Sequence, residues 1–173
     1  CKGCYATTGM YNMPNVKAPR IHNKEDWKRK DWVDNMVEAI FNDELFRWFD
    51  SGDCYDLRLA KKIKQVISRT PRTKHWFPTR QHKFPKFTKV LNEIAALPNA
   101  VVRLSSDSIN GGIIEGDTTS TIWSTEPPEG SFECGAYTRD GQCKDCRACW
   151  DKSVKVVAYP GHGAKMLKVI RLQ

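Results

Sequence analysis

The sequence predicts an α/β protein with a mainly parallel sheet, and three observations lead to that prediction. Short apolar runs of strand character alternate with longer segments of helical periodicity across residues 31–125. The alternation follows the order β-α-β-α-β. The connections are short, which favours parallel strands joined by right-handed crossover helices.

The first predicted helix begins near Asp31, a residue type that often caps helices. Upstream of it, residues 1–30 are interrupted by glycine, proline and asparagine, so we predict an irregular segment there. From Asp31 onward the apolar side chains recur on one helix face. These residues are Trp32, Val33, Met36, Val37 and Ile40.

The later elements follow the same alternation of periodicities. Strands are predicted at 45–49, 74–79, 100–104 and 154–159, and helices at 57–68 and 84–97. Three further segments are also predicted. They are a strand or hairpin within 113–125, a helical turn at 164–167 and a last short strand at 168–172.

The length of 173 residues suits a single domain, 1–173. Within it we expect a β-α core at 31–125, a cysteine-rich metal loop at 126–150 (the cysteine-rich loop below) and C-terminal strands at 151–173. No apolar run approaches the roughly 18 residues of a membrane span, so no membrane association is expected. Because the first residue is Cys1 rather than Met, we expect the sequence to begin after a segment that it does not include.

The charge balance is basic, with a formal net charge of +8 and a pI near 9.2. Such a balance favours anionic partners, including nucleic acid or nucleotides. A solvated basic surface with no partner is the alternative. The basic clusters at 24–30, 61–64 and 69–89 are spread along the chain, so the sequence is consistent with an anionic partner and with a solvated surface.

The most informative motif is a run of four cysteines with C-x8-C-x2-C-x2-C spacing. Its members are Cys134, Cys143, Cys146 and Cys149. Two residues between consecutive thiolates allow them to curl around one small object, and bacterial ferredoxins use such a triplet on a cluster with a more distant cysteine. The spacing predicts that these four cysteines bind a 4Fe–4S cluster.

Other cysteine arrangements remain open. Cys1 and Cys4 form a second C-x2-C pair, and either could supply the fourth cluster ligand in place of Cys134. The same pair with two members of the triplet could instead hold zinc. The chain would then be a zinc-stabilised nucleic-acid-binding module, with the +8 charge driving binding. The odd total of seven cysteines argues against a disulfide framework and favours a reducing cytosol.

A second candidate site lies where the predicted parallel strands end, because ligands bind beyond the carboxyl ends of such strands. We call this edge the strand-end rim. Asp53, Arg80 and Ser105 follow three successive strands and are the candidate cofactor-binding residues. The alternative for Asp53 is a helix-capping or turn-shaping role.

Several motifs together resemble the phage-encoded gene product 88-like family. They are Cys4-Tyr-Ala, the segment Arg47-Trp-Phe-Asp-Ser-Gly-Asp53, Thr79-Arg80, Arg103-Leu-Ser-Ser106 and Cys143-x2-Cys146-Arg-Ala-Cys149-Trp150. That family is distantly similar to radical S-adenosylmethionine enzymes, which combine a partial (β/α) barrel with a 4Fe–4S cluster. The resemblance implies a viral iron–sulfur protein of the host cytoplasm with such a sheet and with redox or radical chemistry.

One departure from the radical enzymes limits this implication. Their C-x3-C-x2-C motif after the first strand is absent here. If all four cysteines of the run bind, no iron is open, and the cluster is structural or passes electrons to an unidentified redox partner. If Cys134 does not bind, one iron stays open and S-adenosylmethionine could bind there.

Overall fold

In the computed structural model, the residues described are 5–7, 9–163, 166 and 168. A six-stranded parallel sheet curls into a half-barrel accompanied by four α-helices, which confirms the predicted α/β class and parallel sheet. The strands are β1 Leu45–Arg47, β2 Lys74–Thr79, β3 Ala100–Ser105, β4 Thr119–Trp123, β5 Phe132–Glu133 and β6 Val156–Pro160. Their order in the sheet is β1-β2-β3-β4-β6-β5, and every neighbouring pair is parallel.

The helices are α1 Pro14–Asp26, α2 Trp32–Ile40, α3 Leu57–Arg69 and α4 Pro85–Ala95. Helix α3 shows how the sequence determines where a helix begins and which of its faces is buried. The Asp56 side chain accepts a hydrogen bond from the Arg58 backbone N–H at 2.8 Å and so caps the first turn. One apolar stripe along α3, which includes Ile63 and Ile67, is fully buried. Among the described residues, no helix has the length and apolar character needed to cross a membrane.

The two faces of the sheet carry different layers. Side chains alternate along β2 and β3, so Phe77 and Val102 face the helices while Trp76 and Arg103 point to the opposite face. The main core lies on the helix side and joins these strands to α2, α3 and α4. A smaller cluster on the opposite side contains Trp76 and Cys149. The cysteine-rich loop therefore packs on the face that the helices leave uncovered.

The prediction for residues 1–30 is wrong at residues 14–26, which form α1. Pro14 occupies the first turn, where its missing N–H carries no penalty. None of the side chains of α1 is buried, so no apolar stripe marks this helix in the sequence. Asp31 does stand at the N-cap position of α2, but its carboxylate bonds to Arg29 and Asn35 rather than to the helix backbone.

In the C-terminal half, the structure can be compared with three further predictions. The segment 113–125 contains one strand, β4, and no hairpin. The loop predicted for 126–150 contains β5, a strand of two residues that is too short for a periodic pattern to reveal. The predicted turn 164–167 and strand 168–172 lie largely outside the described residues; Lys168 is helical where a strand was predicted.

Candidate metal centre

A buried arginine holds the end of the cysteine-rich loop against the sheet. Arg103 lies in β3 with no solvent exposure. Its guanidinium donates to five backbone carbonyls, at 2.6 to 3.4 Å, and four of them belong to the end of the loop and the residues just after it. The acceptors are Ala148, Cys149, Asp151, Val154 and Thr119. This one side chain thus fixes the backbone that carries the last cysteine.

Arg103 is unusual in its electrostatics as well as its burial. Desolvation lowers the pKa of its guanidinium, although an arginine in a protein stays protonated. No carboxylate of the described residues lies within ion-pair distance of it. Cys149, Tyr159 and Asp151 are the groups whose negative forms would favour its charge. A buried cation without an anionic partner is expensive, so this environment favours an anion beside it.

Two more side chains dock the same segment. The Trp150 indole Nε1 donates to the carbonyl of Phe46 on β1 at 3.1 Å. Its ring meets Trp76 edge to face, with 5.2 Å between centroids. Lys152 donates to the carbonyls of Ala95 and Leu97 at the end of α4, at 2.9 and 2.7 Å. Residues 148–152 are therefore tied to β1, β2, β3 and α4 together.

Cys149 is the most enclosed member of the cysteine run. It is buried, and its Sγ lies 3.2 Å from the hydroxyl of Tyr159 on β6. Burial raises the pKa of the Cys149 thiol to about 11, while the Tyr159 hydroxyl and the Arg103 charge act in the opposite direction. Desolvation also raises the pKa of Tyr159 well above its usual value. A metal binding here would have to displace the thiol proton, as metal binding to cysteine does in general.

The other three cysteines of the run are drawn into the same neighbourhood. The Cys134 backbone N–H continues the β5 ladder by donating to Ala158 at 2.8 Å. A turn joins Cys143 to Cys146, whose N–H donates to the Cys143 carbonyl at 2.9 Å. Burial raises the pKa of Cys134, and negative charge on Cys143 or Cys146 would raise it further, as charge on Cys134 or Cys143 would raise the pKa of Cys149. Both Cys134 and Cys146 pack against the cluster that contains Cys149.

The two candidate groups, a zinc ion and a 4Fe–4S cluster, hold their thiolate ligands at different separations. Within the described ranges, no three cysteine, histidine or carboxylate side chains are close enough to hold one metal ion. A tetrahedral zinc site with Zn–S bonds of about 2.3 Å needs its sulfurs about 3.8 Å apart. A 4Fe–4S cubane holds its thiolates further apart than a zinc ion does. Cys1 and Cys4, the alternative ligands, lie outside the described residues.

At the strand-end rim, the structure brings Asp53 and Arg80 together. The Asp53 carboxylate accepts hydrogen bonds from the Thr79 hydroxyl at 2.8 Å and from the backbone N–H groups of Arg80 and Cys54 at 2.7 Å each. Three donors within the chain therefore occupy this carboxylate. The geometry gives Asp53 a structural role that joins the end of β2 to the loop before α3. Its binding of a cofactor stays a prediction.

Arg80 and Ser105 are also engaged within the protein. The Arg80 guanidinium donates to the Ser106 carbonyl at 3.2 Å and lies 3.4 Å from the Asp107 carboxylate. The Ser105 hydroxyl accepts from the Ser120 hydroxyl at 3.2 Å across β3 and β4. The predicted rim residues are thus neighbours at the ends of adjacent strands. Their role toward a ligand also stays a prediction.

The sequence reasoning missed the contributions of Arg103, Tyr159 and Lys152. One signal was present for Arg103, because a charged residue interrupts the apolar run Ala100-Val-Val-Arg-Leu104. Charged side chains are almost never fully buried unless something pairs with them, so such an interruption marks a candidate. Tyr159 and Lys152 carry no such signal, since their partners lie on elements distant in sequence.

Fold and site together define a parallel α/β half-barrel protein with a cysteine-rich loop packed on the face opposite its helices. The family model Gene product 88 matches residues 1–152, and the chain belongs to that family of phage gene products. No curated protein and no solved structure matches the chain.

Proposed function

We propose that the chain binds a 4Fe–4S cluster through Cys134, Cys143, Cys146 and Cys149. The observation that carries the proposal is the position of Arg103, a fully buried cation beside Cys149 with no carboxylate at ion-pair distance among the described residues. Its five hydrogen bonds are to neutral carbonyls, so its charge has no full counterpart within the described protein.

A cluster held by four thiolates supplies the missing negative charge. Hydrogen bonds, net charge and burial are the means by which a protein tunes such a centre. The Tyr159 hydroxyl, at 3.2 Å from the Cys149 sulfur, is placed to donate a hydrogen bond to a ligating thiolate. Arg103 offsets part of the negative charge and holds the loop in place through the Cys149 carbonyl. The reducing cytoplasm of the host keeps such cysteines available for ligation.

The number of cysteine ligands decides what the cluster does. With four cysteines bound, no iron is open, and the cluster serves electron transfer or stabilises the loop. If Cys134 does not bind and no other residue replaces it, one iron would be open to S-adenosylmethionine, and the cluster would supply radical chemistry. We favour four ligands, because Cys134 and Cys146 both pack against the group of buried side chains that contains Cys149.

Anaerobic purification of the full chain, followed by iron, sulfide and zinc analysis, tests the proposal. We expect four irons and four sulfides per chain, with broad visible absorbance that bleaches on reduction. Stoichiometric zinc without sulfide would overturn the proposal and support the zinc-stabilised nucleic-acid-binding module instead.

Serine substitutions identify the ligands. Cys143→Ser, Cys146→Ser and Cys149→Ser should lose the cluster, and Cys54→Ala is the matched control because Cys54 is a buried cysteine outside the run. Cys134→Ser separates the two uses of the cluster. Loss supports four cysteine ligands, whereas retention with a spectral change on adding S-adenosylmethionine supports an open iron.

A further inference from the structure

A small cleft lies at the start of α3 and α4, away from the cysteine run. Tyr55, Gln81, Phe84 and Lys86 line it, and its volume is about 230 Å³. Both aromatic rings are half exposed, Tyr55 at 48% and Phe84 at 51%. The volume is below the range of pockets for drug-sized ligands, so the cleft suits one flat ring rather than a whole small molecule.

The Tyr55 ring is fixed although much of it faces solvent. Its hydroxyl accepts from the Trp27 indole N–H and donates to the Lys24 carbonyl, both at 2.8 Å. Trp27 also meets the Tyr55 ring edge to face, at 6.3 Å between centroids. An aromatic ring that is both rigid and exposed loses little entropy when a partner stacks on it.

Phe84 stands where a phenylalanine contributes little to the fold. It occupies the N-cap position of α4, where Ser, Thr, Asp or Asn would satisfy a backbone donor, and its side chain makes no capping bond. Half of its ring is exposed rather than packed in the core. Departures from local sequence rules without a structural gain concentrate at functional sites.

One cation, Lys86, lines this cleft, and further lysines lie on α3 and α4. Lys86 forms no ion pair with any described carboxylate. Farther along, Lys64 forms an ion pair with Glu93 at 2.6 Å, and the charges of Lys89 and Lys61 also lower the pKa of that carboxyl. Since α3 packs against α4, three lysines surround one carboxylate here, and this excess of positive charge forms a cationic track beside the cleft. Exposed aromatic rings beside a cationic track are the elements of single-stranded nucleic-acid surfaces.

We propose that this surface binds single-stranded nucleic acid. One base stacks on the rings of Tyr55 and Phe84, and the phosphates run along Lys86, Lys89, Lys61 and Lys64. Binding there does not depend on the cysteine run, so it holds whether or not the chain carries a cluster.

Fluorescence anisotropy with a labelled oligo(dT) of about 15 nucleotides tests the proposal on the full chain. We expect Phe84→Ala to weaken binding by about 10-fold, and Tyr55→Ala to do the same. Tyr55→Phe keeps the ring but loses the two hydrogen bonds that fix it, so its affinity should lie between those of the wild type and Tyr55→Ala. Lys86→Gln should lower the salt dependence of binding by about 0.7 in the log–log slope.

Matched controls separate stacking from general charge or stability. Phe41 is exposed to the same extent as Phe84, at 51%, but lies at the far end of α2, so Phe41→Ala should bind like the wild type. Lys155→Gln is the control for charge, because Lys155 is exposed near the start of β6. Three results would overturn the proposal: no binding at low salt, equal affinity for a DNA duplex of the same length, or equal losses for Phe41→Ala and Phe84→Ala.

Discussion

The Arg103 guanidinium donates through Nε to the main-chain carbonyl of Cys149 at 3.1 Å, and both residues are buried. The bond joins β3 to the last cysteine of the run through the backbone, which leaves the Cys149 sulfur facing Tyr159. A residue of β3 thus positions a thiol 46 residues later in the chain. The cysteine-rich loop and the sheet are therefore parts of one structural unit.

Arg103→Met should destabilise the protein by about 3–5 kcal/mol, measured by urea unfolding without metal. The substitution removes the guanidinium donor from five carbonyls, and three of those hydrogen bonds, to Ala148, Cys149 and Thr119, are buried. Arg103→Lys keeps the charge but cannot reach all five acceptors, so we expect an intermediate loss. Arg72→Met is the control, because exposed Arg72 only covers the ring of Phe41. An Arg103→Met variant within 1 kcal/mol of the wild type would contradict the anchoring role.

Thiol labelling of the metal-free protein should follow the burial of each cysteine. Among the five described cysteines, Cys143 is exposed and should react first with iodoacetamide. Cys54 and Cys149 should react last, because both are buried and burial raises the pKa of their thiols to about 12 and about 11. Mass spectrometry of the labelled peptides gives the order, and labelling in urea should remove the differences. Equal rates for Cys143 and Cys149 would mean that the end of the loop does not pack on the sheet.

Stability should fall on acidification because of His75. This side chain is fully buried on β2, with Nε2 bonded to the Thr70 hydroxyl at 2.9 Å, and burial lowers its pKa to about 4. The unfolded chain, with a histidine pKa near 6.5, binds the proton more readily. The contribution of neutral His75 is thus complete above about pH 6.5 and disappears as the pH falls towards 4, a change of about 3 kcal/mol.

His75→Gln isolates this effect. Between pH 6.5 and 4 its unfolding free energy should decrease less than that of the wild type, in urea titrations at matched ionic strength. His22→Gln, on the exposed helix α1, is the control. Parallel pH profiles for the wild type and His75→Gln would show that another group causes the loss of stability at low pH.

Asp53→Ala should destabilise the fold by about 2–3 kcal/mol, since a partly buried carboxylate with three hydrogen-bond donors is removed. Thermal unfolding measures the loss. Asp43→Ala serves as the control, because Asp43 is exposed and accepts none of the side-chain hydrogen bonds of the described residues. If Asp53→Ala is as stable as the wild type, the carboxylate is available for a ligand and the cofactor-binding prediction gains support.

Much of the fold could be predicted because its elements bury one face. Strand β2 occupies the predicted residues 74–79, and α3 starts at the predicted Leu57 and ends within one residue of the expected place. Helix α1 could not be predicted in this way, since none of its side chains is buried. The two-residue strand β5 was missed because it is shorter than the repeat that identifies a strand.

For the site, the closeness of Cys143, Cys146 and Cys149 follows from their spacing, because residues three positions apart are held near one another by the chain alone. Cys134 lies nine positions before Cys143, and its backbone bond to Ala158 is a tertiary contact. Three other contacts depend on how the chain folds: Arg103 lies beneath the loop, Tyr159 faces Cys149 and Lys152 reaches the end of α4. Those contacts join residues that are 46, 10 and 57 positions apart. They arise from the curl and order of the parallel sheet, and local periodicity contains no information on that arrangement.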